Sequence, residues 1–225
     1  MKIIEYKDSW VKFTDCIEGM KELPDKSIDL CLTDPPFNVE YKGKSFGGII
    51  YNDDMEKMEY ITWCKEWFEE VRRVTKTQLV FCGNPNMGYW CKYIEIPRDI
   101  AIWYKKNSMS RGSAFYLATY EAILLYGEFK NRLHTGVINE NVLINQPFLH
   151  PCCGTVKLYK KILSQIQPSS VLDPFMGSGT TAEAAIQLGI PFYGFELMEE
   201  YAADINKRID RSKYYKKPRK LDEFF

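Results

Sequence analysis

Histidine is nearly absent from this chain: two residues in 225, His134 and His150. Seven cysteines are present (Cys16, Cys31, Cys64, Cys82, Cys91, Cys152 and Cys153), but none forms a Cys-x-x-Cys pair. A zinc site therefore has no evident ligand set, and no metal is expected. The odd cysteine count and the adjacent Cys152-Cys153 pair argue against a disulfide framework. Most of these thiols read as small buried apolar groups. No apolar run approaches the ~18 residues of a membrane span. Met1 to Asp8 lacks the apolar stretch of a secretion signal, so the expected location is cytoplasmic. Net charge is missing as well: 30 Lys and Arg balance 30 Asp and Glu, so the whole molecule is not a generic polyanion binder. Internal repeats and low-complexity linkers are also absent.

What is present is a globular composition, 45% hydrophobic and 15% aromatic. The length suits one domain with a real core and is marginal for two. Strand-like and helical runs alternate, which predicts an α/β fold with a mostly parallel sheet. Strands are expected at residues 11–14, 27–33, 78–82, 100–104, 122–126, 170–172 and 192–195. Helices are expected at 17–23, 59–75, 86–93, 156–166, 180–188 and 199–208. The helix at 59–75 rests on Ile61, Cys64, Trp67, Phe68, Val71 and Val74 at helical spacing. Residues 38–57 are long for a structureless loop, and such loops are usually lids or mobile segments. Residues 127–149 show no clear periodicity. The charge is unevenly spread: Lys207 to Lys220 holds eight basic residues against Asp210 alone. That run is either a solvated helix end or a phosphate-contacting arm.

Two motifs carry chemistry. The second in chain order is Val171-Leu172-Asp173-Pro174-Phe175-Met176-Gly177-Ser178-Gly179-Thr180-Thr181. Asp173 ends a strand and Gly177-Ser178-Gly179 opens a helix, where glycine lets the backbone turn sharply and lets a ligand come close. The Gly-Lys-Ser/Thr ending of a phosphate loop is missing. Ala182 replaces the third glycine of a dinucleotide fingerprint. Glu196, followed by Leu197, ends the next strand 19 residues beyond Gly177. A carboxylate there suits the two ribose hydroxyls of an adenosine. The bland reading is a plain helix-start turn with a surface carboxylate, but the whole strand, turn, helix, strand and Gly-Phe-Glu series speaks against it.

The first motif is Thr33-Asp34-Pro35-Pro36-Phe37, about 140 residues earlier. The exocyclic amine of a nucleobase is a poor nucleophile because its lone pair is delocalised into the ring. Asp34 offers a carboxylate acceptor for the amine's hydrogens, and the Pro35 carbonyl offers a second. Pro35 and Pro36 stiffen the backbone, and Phe37 offers a stacking face. A base inside a duplex cannot present its amine to such a pocket, so it must be flipped out. On its own the motif is also compatible with an Asp-Pro turn.

In this order the two motifs resemble the β group of DNA amino-methyltransferases, in which the catalytic half precedes the cofactor half. The resemblance covers nearly the whole chain. Phe13-Thr14-Asp15-Cys16 and the Leu23–Leu30 run look like the family's opening block, which implies that Asp15 and Cys16 lie near the adenine of S-adenosylmethionine (AdoMet). Ile102-Trp103-Tyr104-Lys105 and Tyr120-Glu121-Ala122-Ile123-Leu124 resemble its later catalytic strands. His150-Pro151 resembles the block that meets the methionine end of AdoMet. The family commonly has Lys-Pro four residues after that histidine. Gly154-Thr155 stand there instead, and Lys157 nearby reads equally well as an exposed helix residue.

The resemblance implies a circularly permuted Rossmann-like AdoMet-dependent methyltransferase fold, with a mostly parallel central sheet and helices on both faces. It implies one domain over residues 1–225, with a small target-recognition insertion at 127–149. Asn107 to Leu117, the 38–57 loop, Arg111 and Arg132 are further recognition candidates. The implied catalytic residues are Asp34, Pro35, Pro36 and Phe37. The implied AdoMet site comprises Asp15, Cys16, Asp34, His150, Asp173, Phe175, Gly177, Ser178, Gly179, Thr180, Thr181, Glu196 and Leu197. The expected substrate is adenine N6 in double-stranded DNA, because Asp34 stands where cytosine N4 enzymes of this family more often carry serine. The alternatives are a cytosine N4 enzyme and a catalytically degenerate regulatory subunit. A restriction endonuclease partner and a monomeric or homodimeric state also belong to the expectation.

Overall fold

The computed structural model describes residues 2–39, 53–108, 119–142, 148–149 and 154–214. The chain opens with the hairpin β1 (Ile3–Tyr6) and β2 (Ser9–Phe13), followed by α1 (Cys16–Lys21) and β3 (Ile28–Thr33). Helix α2 (Lys57–Val74) leads into β4 (Thr75–Cys82). An irregular helical run follows: a 3-10 turn at Asn84–Asn86, α3 (Met87–Tyr89) and a π-turn at Trp90–Ile94. Strands β5 (Asp99–Tyr104), β6 (Tyr120–Gly127) and β7 (Val137–Asn139) come next. The last part is α4 (Val156–Ile166), β8 (Val171–Asp173), α5 (Thr180–Leu188), β9 (Phe192–Glu196), a 3-10 turn at Glu199–Tyr201 and α6 (Ala202–Lys213).

The strands form one sheet in the order β1-β2-β9-β8-β3-β4-β6-β5-β7. Strands β2, β9, β8, β3 and β4 run parallel, and β6 pairs antiparallel with both β4 and β5. From β3 the chain crosses through α2 to β4 on one side. From β8 it crosses through α5 to β9 on the other. The order therefore reverses between β3 and β8, and parallel sheets bind ligands outside the carboxyl ends of the strands at such a switch point. Residues 34–37 and 173–181 both start there.

Side-chain alternation builds a core on each face. Leu30 and Leu32 of β3 join one apolar cluster with Leu158, Ile162 and Leu163 of α4 and Ile205 of α6. Cys31, between them, joins the opposite cluster with Trp67, Phe68 and Val71 of α2. Helix α2 starts where the Glu56 carboxylate accepts from the amides of Met58 (2.7 Å) and Glu59 (3.3 Å). It buries Tyr60, Ile61, Cys64, Trp67, Phe68, Val71 and Val74. Burial of this kind contributes about 1.5–3 kcal/mol for each large apolar side chain. Cys16, Cys31, Cys64 and Cys82 are buried free thiols, as expected.

Three expectations need revision. The helix expected at 86–93 is the irregular run, which Pro85 starts in 3-10 geometry. Strands β1 and β7 were not foreseen, and β7 falls inside the 127–149 segment, where it pairs in parallel with β5. The basic run is not uniformly solvated. Arg208 is 1% exposed and pairs with Glu183 at 2.7 Å. The remainder of the run, residues 215–220, lies outside the described residues, as do Arg111 and most of the 38–57 loop. Among the described residues no helix is long and apolar enough to cross a membrane. No group of histidine, cysteine and carboxylate residues among them is arranged to hold a metal ion.

Candidate active site

Asp173 closes β8 and is buried, and both oxygens of its carboxylate accept hydrogen bonds from the protein. Oδ1 accepts from Thr33 Oγ1 at 2.7 Å and from the Phe175 amide at 3.1 Å. Oδ2 accepts from Thr181 Oγ1. Asp173 thus ties the last residue of β3 to the start of α5. The two motifs, about 140 residues apart in sequence, are joined by one hydrogen bond. Burial raises the Asp173 carboxyl above its usual value, and the donors from Thr181, Thr33 and Phe175 oppose that rise.

The turn after Asp173 passes through Gly177 (φ 52°) and Gly179 (φ 84°), both in the left-handed region that glycine enters without strain. A Cβ on Gly179 would also stand 3.3 Å from the Ile205 Cα. Glu196, at the end of β9 and 8% exposed, accepts from the Gly177 amide at 2.7 Å through Oε2 and from the Met198 amide at 2.9 Å through Oε1. Each oxygen keeps a further lone pair for a ligand hydroxyl. Burial, with Asp173 adding to it, pushes the Glu196 carboxyl up to about 7, against the pull of the Met198, Gly177 and Leu197 amides.

The Asp34–Phe37 segment is held by side chains from remote elements. Tyr60 Oη of α2 donates to the Pro36 carbonyl at 2.8 Å, and Asn86 Nδ2 donates to the Phe37 carbonyl. The Phe37 ring lies on Gly83, where an added Cβ would come within 3.0 Å of it. Asn38 (φ 55°) closes the loop behind, bonding both the amide and the carbonyl of Met55 at 2.7 and 2.9 Å. Asp34 is half-buried. Burial, with Glu121 and Asp173 nearby, holds its carboxyl well above the ordinary range, and Lys105 opposes them.

The other expected site residues are distributed unevenly. The Asp15 carboxylate caps α1 through the amides of Ile17 (2.9 Å) and Glu18 (3.2 Å), and Cys16 is buried beside it. Phe175 packs its ring against Trp63 and Trp67 of α2, with centroids 5.6 and 5.1 Å away. Thr180 Oγ1 donates to the Gly154 carbonyl at 3.3 Å, and Ser178 receives Arg208 Nη2 at 3.3 Å. Leu197 is exposed, and Lys157 and Arg132 are exposed as well. His150 lies outside the described residues. Gly154, at the departure from the family pattern, has a local reason: a Cβ there would stand 2.9 Å from the Tyr159 ring. Residues not foreseen are Tyr60, Asn86, Gly83, Lys105, Glu121 and Tyr159. Lys105 and Glu121 stand in strings that resemble the family's later strands, but their pairing follows from the register of β5 and β6.

A mostly parallel sheet with a Gly-rich turn and a buried carboxylate at its switch point has the architecture of AdoMet-dependent methyltransferases. The DNA methylase family model matches residues 28–147 and 128–207. Among relatives, the type II methyltransferase M.HinfI of Haemophilus influenzae is 29% identical over 87% of this chain and 66% of its own length. The DNA adenine methyltransferase YhdJ of Escherichia coli is 27% identical over 89% of this chain and 82% of its own. In fold, the chain matches the cytosine-N4-specific PvuII DNA methyltransferase with a TM-score of 0.69 at 17% identity, covering 88% of this chain and 85% of that one. It matches the M1.HpyAVI–SAM complex with a TM-score of 0.60 at 24% identity, covering 88% and 98%. The chain belongs to the DNA methylase family, the AdoMet-dependent N6/N4 amino-methyltransferases, in the permuted order with the amino-group motif first.

Proposed function

We propose that this protein transfers a methyl group from AdoMet to the N6 amine of a flipped-out adenine in double-stranded DNA. The observation that carries the reading is the Thr33–Asp173 bond, which sets Asp34 beside the glycine turn at one switch point. The donors and acceptors present fit AdoMet. Glu196 would take the ribose hydroxyls, Gly177 and Gly179 would admit the nucleoside close to the backbone, and Asp15, Cys16 and Leu197 would border the adenine. Phe175, Ser178, Thr180 and Thr181 would shape the turn, with His150 toward the methionine end. When bound, AdoMet supplies an electrophilic methyl group on a sulfonium.

The chain's own residues prepare the acceptor. Asp34 and the Pro35 carbonyl take hydrogen bonds from the amine, which turns the nitrogen lone pair out of conjugation and toward the methyl donor. Phe37 stacks on the base, and the Tyr60 and Asn86 bonds keep its backbone from shifting. Transfer then proceeds mainly by positioning. The nitrogen gives up one proton as it gains the methyl group, and the Asp34 carboxylate is the acceptor proposed for that proton. Unstacking the base costs a few kcal/mol, offset by the stacking and hydrogen bonds of the pocket.

Residues 127–149 are proposed as the target-recognition segment of one domain spanning 1–225, with β7 anchoring it to the sheet. The name of M.HinfI as a type II methyltransferase favours a paired restriction endonuclease. The likeness to the PvuII enzyme favours cytosine N4 as the second reading. Incubating the protein with unmethylated DNA and labelled AdoMet, then digesting to nucleosides, separates these. N6-methyldeoxyadenosine supports the proposal, N4-methyldeoxycytidine replaces it with the second reading, and no label refutes both.

A further inference from the structure

A largely buried ion pair stands beside the amino-group motif, and neither the AdoMet site nor the acceptor grip uses it. Lys105, just past β5, is 6% exposed and pairs through Nζ with Glu121 Oε1 of β6. Its Nζ also lies 4.9 Å from the centroid of the Trp103 ring. The strand register connects this pair to the pocket wall. Trp103 pairs with Glu121, and the next residue, Ala122, pairs with Cys82. Gly83, which follows Cys82, is the residue that abuts the Phe37 ring.

Placing a lysine and a glutamate out of water is costly, and well-packed apolar residues of similar volume often serve stability as well or better. A pair kept at this location therefore calls for a reason in the chemistry. Among the described residues, four ionisable groups interact electrostatically with Asp34: Glu121 from β6, Asp173 from β8, Lys105 from the end of β5 and Tyr159 from α4. Three of them are acids. Asp173 is occupied by Thr33, Thr181 and the Phe175 amide. Lys105 is the only cation among the four.

We propose that Lys105 and Glu121 are positioning residues for methyl transfer: Lys105 offsets the Glu121 charge and so favours the ionised form of Asp34, the form that accepts a hydrogen bond from the target amine. Without Lys105, the Glu121 charge acts on Asp34 unopposed and favours its protonated form, and a protonated Asp34 presents a donor where the amine needs an acceptor. Without the Glu121 charge, the ammonium turns its full field on Asp34. The inference rests on the assignment of Asp34 as the amine acceptor.

The test is the pH profile of single-turnover methyl transfer at saturating AdoMet and DNA. Lys105→Met should move the acid limb of the rate up in pH and Glu121→Gln should move it down, each by roughly one unit. Lys105→Arg should leave the limb near its wild-type place. AdoMet affinity should stay unchanged in all three. If the rates fall uniformly with the limb unmoved, or the Met and Gln variants shift the same way, the proposal is overturned and the pair is structural. Should Lys105→Met fail to fold, the Glu121→Gln shift and the Lys105→Arg rescue decide the matter. Asp34→Ala, measured alongside, separates the two levels. An active Asp34→Ala overturns the underlying assignment. An inactive one with unmoved limbs overturns only this inference.

Discussion

Glu196 offers a prediction whose size follows from its surroundings. Its carboxyl is pushed up to about 7 by burial, although two backbone amides donate to it. Ribose hydroxyls donate to the ionised form, whereas the protonated form must itself find an acceptor. If only the ionised form takes both hydroxyls, AdoMet affinity falls by about twofold at pH 7 and by about elevenfold at pH 6, relative to high pH. Stability has a matching sign. A carboxyl raised from 4.5 to about 7 on folding makes the folded state bind more protons between those values. The unliganded protein therefore loses stability as pH rises through that window, and the AdoMet-induced rise in Tm should be larger at pH 8 than at pH 6. Glu196→Gln should flatten the pH dependence while weakening binding. Gln offers one carbonyl to two amide donors, and leaving one buried amide unpaired costs about 1–3 kcal/mol. Calorimetric titration of AdoMet from pH 6 to 8.5 measures both effects, and the Gln variant subtracts any titration belonging to the ligand. Equal wild-type affinity at pH 6 and pH 8, or a wild-type slope kept by Glu196→Gln, refutes the reasoning.

Gly83→Ala should press a methyl group into the Phe37 ring and lower kcat roughly ten- to a hundredfold with AdoMet affinity unchanged; steady-state kinetics that show a wild-type kcat count against the stacking wall. Glu183→Ala should strand the Arg208 charge in the interior and cost about 3–5 kcal/mol in urea unfolding; a loss below about 1 kcal/mol shows that the pair is dispensable. Gly177→Val places a branched side chain at φ 52° beside Glu196 and should remove both AdoMet binding and transfer; calorimetric binding at wild-type strength contradicts the role given to that turn.

The fold of the second half of the chain was legible in the sequence because its signals are local. Helices α4 and α5 fall on their expected residues, and Gly177, Gly179 and Glu196 sit within one strand–helix–strand unit. The edges of the sheet were not legible. Strand β1 is four residues with one buried side chain, and β7 is three residues with one, too short for alternation to register. The supports of the Asp34–Phe37 segment escaped for another reason. Tyr60 lies on a helix whose apolar stripe explains it as core, and only the fold shows its hydroxyl on the Pro36 carbonyl. Lys105 and Glu121 stand in recognised strings, but their pairing depends on the antiparallel register of β5 and β6. Asp15 and Arg208 show the converse. One caps a helix and the other is buried against Glu183, neither of which residue type alone could reveal.

The central claim is that the Asp34 motif and the glycine turn with Glu196 form one methyl-transfer site with separable tasks. Measuring labelled methyl transfer to DNA and AdoMet binding side by side, in the wild type and in Asp34→Ala, tests it most directly. The account predicts N6-methyldeoxyadenosine from the wild type, and from Asp34→Ala no transfer with AdoMet affinity intact. Normal turnover by Asp34→Ala would contradict it.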